Sequence, residues 1–96
     1  MKIGTAIKKL RKELTPKVTQ GDLALVIGIS QTYLSQVEGN LKEPSLDVLM
    51  KISEYFNKPL PIIFWFSLEE SDIDDYKKEY FRLLKPSIDK LIESLL

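Results

Sequence analysis

Gln31, Thr32, Ser35 and Gln36 sit within six consecutive positions, interleaved with apolar Leu34 and followed by Val37. A helical wheel that turns Leu34 and Val37 inward points Thr32, Ser35 and Gln36 outward and leaves Gln31 at the exposed N-terminal end. The outward side then carries only carboxamides and hydroxyls. Such groups read the edges of base pairs in a major groove, and a glutamine can pair bidentately with adenine N6 and N7. On an isolated helix the same residues would be an ordinary solvated face. The frame around them decides which reading holds.

Other chemistries are scarce. The chain has no histidine and no cysteine, which excludes disulfides, thiolate chemistry, imidazole catalysis and zinc sites built on those ligands. Asp72, Asp74 and Asp75 cluster, but at a helix start, where acidic residues suit the helix dipole. No catalytic residue, metal site or cofactor is expected. Fourteen basic residues balance fourteen acidic ones. The balance hides a polarity, because residues 1–58 hold nine basic and six acidic side chains and residues 59–96 hold five and eight. A polyanionic partner is therefore not excluded, since the local field matters more than the total. Ninety-six residues at 44% hydrophobic and 29% charged suit one globular core. The longest apolar run, Leu60 to Phe66 with Pro61 inside it, is too short to span a bilayer. With no signal-peptide pattern after Met1, a soluble cytoplasmic protein is expected.

The elements that must hold the polar face read as helices nearly throughout. Ile3, Ile7, Leu10 and Leu14 form one stripe of a first helix, which Thr15-Pro16 should break. Thr19 to Asp22 has the spacing of a capping box opening a second helix, which should stop at Gly28. Ser30 offers an N-cap to a third helix running through Glu38. A fourth starts at Pro44-Ser45 with the stripe Leu46, Leu49, Ile52 and Phe56, and a short apolar fifth covers about residues 61–67. After Leu68 an acidic entry leads into Ile73, Tyr76, Tyr80, Leu83 and Leu84 at helical spacing, and Pro86 should kink or divide that helix. Between the second and third helices, Ala24 is small where two axes would approach and Gly28 can turn the chain. Leu23, Ile27, Ile29, Leu34 and Val37 can close a shared core. That is the logic of two helices packed crosswise about a tight turn.

The run from Thr19 through Ala24, then Ile27-Gly28-Ile29-Ser30 through Gly39-Asn40, then Pro44-Ser45, resembles the helix-turn-helix of the Cro and phage-repressor (XRE) family. Many positions agree at fixed spacing over roughly residues 3–64. The resemblance implies an all-α fold with a five-helix phage-repressor-like domain, placed over residues 1–68; it leaves the last thirty or so residues unaccounted for, where helical spacing alone gives a C-terminal helical extension over residues 69–96. It implies double-stranded DNA as partner. Gln31, Thr32, Ser35 and Gln36 would face bases, Tyr33 a base or phosphate, and Gln20 a phosphate at a helix N-terminus. By position, Asn40 and Lys42 are further phosphate candidates. The family's pair between an arginine of the first helix and a glutamate closing the recognition helix is filled by Arg11 and Glu38. Such a pair could place a guanidinium near phosphates or serve only as a scaffold. The loop from Gly39 to Pro44 is poor in arginine and contains Glu43, so each half-site should be held modestly and dimerisation should matter.

Two apolar excesses need cover. Leu25 and Val26 stand where the family usually carries polar residues, and Pro61 to Phe66 is apolar all round. The C-terminal helices are the obvious cover, through Phe64, Trp65, Phe66, Tyr76, Tyr80, Leu84, Ile88 and Leu91. They could pair two copies, which the family's two-fold reading of half-sites favours, or fold back as a cap. The leading expectation is a dimeric transcriptional regulator acting as a repressor on a palindromic operator. The rival is a protein-interaction module, such as an antitoxin or a regulator bound by a protein antagonist, gripping its partner through the acidic amphipathic tail.

Overall fold

The computed structural model describes residues 1–13 and 17–95. Leu14 of the first stripe and the Thr15-Pro16 break lie outside the described residues. Among the described residues six α-helices follow in order: α1 Ile3–Glu13, α2 Gln20–Ile27, α3 Gln31–Glu38, α4 Leu46–Phe56, α5 Leu60–Ser67 and α6 Lys78–Leu95. Two single 3-10 turns, Glu70–Asp72 and Asp75–Lys77, connect α5 to α6, and no strand occurs among the described residues. The fold is all-α. No described helix is long and apolar enough to cross a membrane.

The short helices start where a side chain can satisfy their orphan N–H groups. Thr19 Oγ1 accepts from Asp22 N–H (3.1 Å), Ser30 Oγ from Tyr33 N–H (3.0 Å) and Ser45 Oγ from Val48 N–H (3.2 Å). They end where the backbone can turn left-handed. Gly28 does so after α2 at φ 77°, and Asn57 after α4 at φ 52°. Only two residues, Ile29 and Ser30, separate the αL cap from the first residue of α3, so α2 and α3 must cross at close quarters. Ala24 is buried at that crossing.

The core joins all five N-terminal helices: Ile7 and Leu10, Leu23 and Ile27, Leu34 and Val37, Leu49, Ile52 and Phe56, and Ile63. α1 packs on α3 and α5, α2 on α3 and α4, and α4 on α5. Each fully buried aliphatic side chain contributes about 1.5–3 kcal/mol, which dwarfs the surface ion pairs. Leu46, expected in the α4 stripe, is instead 64% exposed and Val48 takes the inward place. Leu46 is the first residue of the helix, immediately after its Ser45 cap, and it points away from the core that Val48 and Leu49 enter.

The tail differs from expectation in three respects. Ile73 and Tyr76 precede α6 and do not belong to it. Glu69 N–H donates to Asp72 Oδ2 (2.9 Å), and the Met1 ammonium donates to Asp72 Oδ1 (2.6 Å), which ties the entry into short turns. These donors, the ammonium first, hold the Asp72 carboxyl below its usual range. Pro86 does not divide α6, which runs unbroken as one 18-residue helix; the proline costs it the bond to the Arg82 carbonyl, while its apolar face continues on either side. Finally, the cover is selective. Trp65 Nε1 donates to Asp89 Oδ1 (2.6 Å), Lys85 Nζ donates to the Trp65 carbonyl (3.2 Å), and Phe81 meets the indole edge-on at 6.3 Å. Leu25, at 81% exposed, and Val26 stay bare, because the tail docks on α5 and leaves α2 alone.

Truncating Ile52 to alanine should therefore cost about 2–5 kcal/mol, whereas Leu25→Ala should change stability by less than about 0.5 kcal/mol. Urea unfolding followed by circular dichroism measures both.

Candidate nucleic-acid interface

α3 presents the face its sequence implies. Leu34 and Val37 are buried, Gln31, Thr32 and Ser35 are exposed, and Gln36 is half-buried at the edge. Tyr33 lies half-buried against the core. A Cβ added at Gly21 would stand 3.4 Å from Gln31 Oε1, so the bare first turn of α2 leaves that carboxamide its room. Gln31, Thr32 and Ser35 keep this exposure with the tail in place, so the tail does not cover the outward side of α3.

Behind this face lies a closed polar network. Arg11 Nε donates to Glu38 Oε2 (2.8 Å), Nη2 to Glu38 Oε1 (2.9 Å) and Nη1 to the Val18 carbonyl (3.1 Å). Gln20 Nε2 adds a further bond to Glu38 Oε1 (3.1 Å). The pair is largely out of water, with side chains 12% and 2% exposed. Its hydrogen bonds hold the Arg11 guanidinium protonated above its ordinary value, against a burial that opposes the charge. Each guanidinium nitrogen donates one bond within the network, which ties Arg11 into the scaffold and leaves one N–H on each Nη uncommitted. Gln20 bridges network and surface, since one hydrogen of its amide remains uncommitted.

Asn40 likewise has internal partners: its Oδ1 accepts from Gly4 N–H (3.1 Å) and its Nδ2 donates to Thr5 Oγ1 (2.8 Å). Lys42 is exposed beyond α3, and its backbone N–H, like that of Leu41, donates to the Gln36 carbonyl. At the start of α2, Arg11, Lys12, Lys17, Val18, Thr19 and Gln20 line an open concavity. Lys12 and Lys17 were indistinct in sequence among several lysines; the concavity singles them out. Gly4 and Thr5 were missed altogether. A glycine inside a helix costs about 1 kcal/mol against alanine, and that expense was the available signal of a close approach. Of the tail residues, Trp65 is capped within the chain and Phe64 and Phe66 are half-buried. Ile88 is half-buried too, while Tyr76, Tyr80, Leu84 and Leu91 remain exposed.

A two-turn helix held crosswise on its predecessor by a tight αL turn, with a polar uncharged outer face and a buried arginine–glutamate tie, defines the helix-turn-helix class. The chain belongs to the family described as Helix-turn-helix (HTH_3), whose match covers residues 7–63. A protein of Methanocaldococcus jannaschii, provisionally named HTH-type transcriptional regulatory protein MJ1164, is 29% identical over 90 residues, covering 84% of this chain and 28% of that protein. The ImmF control region 10 kDa protein of Bacillus phage phi105 is 37% identical over 62 residues, covering 65% of this chain and 67% of the phage protein. This chain thus spans little more than a quarter of the archaeal relative's length. No solved structure matches.

Arg11→Met should destabilise the fold by about 3–5 kcal/mol, because it strands a buried carboxylate. Arg11→Lys should recover only part of that, since an ammonium cannot reproduce the fork. Denaturant midpoints of the three proteins provide the comparison.

Proposed function

We propose that this chain is a sequence-specific double-stranded-DNA-binding transcriptional regulator that lays α3 in the major groove. The observation that carries the reading is the outward face of Gln31, Thr32 and Ser35, with Gln36 at its edge, held by the Arg11–Glu38 tie. Those four residues read bases, and Tyr33 reaches the groove wall at a base or phosphate. Gln20, Lys12 and Lys17, gathered at the N-terminus of α2, grip one phosphate run, where the helix dipole favours an anion. Lys42 grips the other side. Residues 1–68 form the DNA-binding unit.

Residues 69–96 form the element that pairs two copies. Phe81, Lys85, Asp89 and Ile92 face the chain's own domain, being half-buried, while Tyr80, Leu84, Leu91 and Leu95 make a second, exposed stripe on the adjoining side. Burying that stripe against its two-fold mate removes it from water and sets two α3 helices in successive major grooves about 34 Å apart. Occupancy of a palindromic operator then excludes polymerase, which is repression. The exposed stripe also supports the second reading, an antitoxin-like grip on a different protein.

Selection of bound duplexes from a random library tests the first reading; enrichment of a palindrome supports it, and no enrichment refutes it. Gln31→Ala and Gln36→Ala should each lose about 1–3 kcal/mol of discrimination at one base position with the fold intact. Log affinity should fall linearly with log salt, with a slope near −0.9 for each phosphate held. In sedimentation equilibrium, Leu84→Glu with Leu91→Glu should convert a dimer to a monomer that still binds a single half-site. A wild-type chain that is itself monomeric would favour the protein-partner reading.

A further inference from the structure

α1 starts without a cap of its own. The residue before Ile3 is Lys2, whose side chain has no acceptor and pairs with Glu69 (3.6 Å). The acceptor arrives from the far end of α3. Asn40, 36 positions away, accepts from Gly4 N–H through Oδ1 and donates to Thr5 Oγ1 through Nδ2. Its backbone is left-handed at φ 59°, a conformation that asparagine tolerates better than most residues. The approach is too close for any side chain at Gly4: a Cβ there would stand 1.8 Å from the Val37 carbonyl oxygen and 2.8 Å from Asn40 Oδ1.

This contact is a second anchor between α1 and the end of α3. The first is Arg11 on Glu38. Gly4 and Arg11 are about 10 Å apart along α1 at 1.5 Å per residue. One anchor leaves a pivot; two fix an angle. Gln31 lies at the opposite end of the eight-residue α3, so a tilt of about 5° moves it by about 1 Å over a helix about 12 Å long. Bidentate base contacts, confined to about 2.7–3.2 Å, do not absorb that.

We infer that Asn40, with Gly4, is a positioning residue for base reading, which fixes the angle of α3 through the N-terminus of α1 and is not a phosphate ligand. The inference rests on the proposed role of α3 in the groove. The test compares the full chain on a duplex enriched from a random library and on an unselected duplex, with salt slopes on the latter and thermal melts for every variant. Asn40→Gly keeps the left-handed backbone and removes both side-chain bonds. It should lose about tenfold on the enriched duplex, the size of one mismatched base pair, with affinity and salt slope on the unselected duplex unchanged. Thr5→Val removes one bond of the anchor, should show the same pattern at smaller size, and serves if Asn40→Gly does not fold. Asn40→Asp, whose carboxylate can accept from both Gly4 N–H and the Thr5 hydroxyl, should restore the ratio between the two duplexes. Equal weakening on both duplexes, or no weakening, or a ratio that aspartate does not restore, overturns the inference. A wild-type chain that enriches no duplex refutes the DNA reading itself and is recognised before any variant is made.

Discussion

Glu38 is a carboxylate that its position penalises twice. It is almost wholly withdrawn from water, and it closes α3, where the helix dipole presents its negative end. Left alone there it would destabilise the domain. What holds it is a set of three donated bonds, two from Arg11 and one from Gln20. Because the cost of separating these groups is so high, α1, α2 and α3 cannot drift independently. The hydrophobic core supplies the energy of association, but aliphatic contacts tolerate small slides and rotations. The directional bonds to Glu38 do not, and so the polar tie fixes the place of the helix that carries the outward carboxamides.

Much of this was legible in the sequence because it is local. Thr19, Ser30 and Ser45 cap the turn three residues ahead of themselves, and Gly28 ends the helix directly before it. The core periodicity of α1 to α4 reads equally well, except that Leu46, the first residue of its helix, is exposed and Val48 takes the inward place. Arg11 and Glu38 were visible as a pair through the family resemblance, while the further bonds from Arg11 to the Val18 carbonyl and from Gln20 to Glu38 needed the geometry. Position along the chain makes Asn40 a phosphate candidate, but its bonds to Gly4 and Thr5, 36 and 35 positions away, are not legible there, because no periodicity reports such a bond. The entry to α6 escaped for a related reason. Ile73 and Tyr76 keep helical spacing, but side-chain bonds at Asp72 draw the chain into short turns instead.

The tail is covered on one side only. α6 has an apolar face wider than one neighbour can cover. Its Trp65-facing side is fastened by a charge-assisted indole bond and by Lys85, 4.9 Å above the ring. The remaining stripe through Tyr80, Leu84, Leu91 and Leu95 is exposed. One side of α6 thus packs on its own domain, and the other carries the stripe for which docking is proposed. Leu25 and Val26, bare on α2, are a separate surplus, to which the fold assigns no cover.

α3 carries no cation at all: its sequence from Gln31 to Glu38 has only one ionisable acid, buried, and a tyrosine. Positive charges lie elsewhere, among them the lysines of α1, Lys17 and Lys42. On the proposed reading, the lysines govern how tightly the protein clings to any stretch of chromosome while it slides and hops in search, and neutral side chains govern where it stops. Evolution could then retarget such a regulator by exchanging one uncharged residue for another without altering the pace of that one-dimensional search.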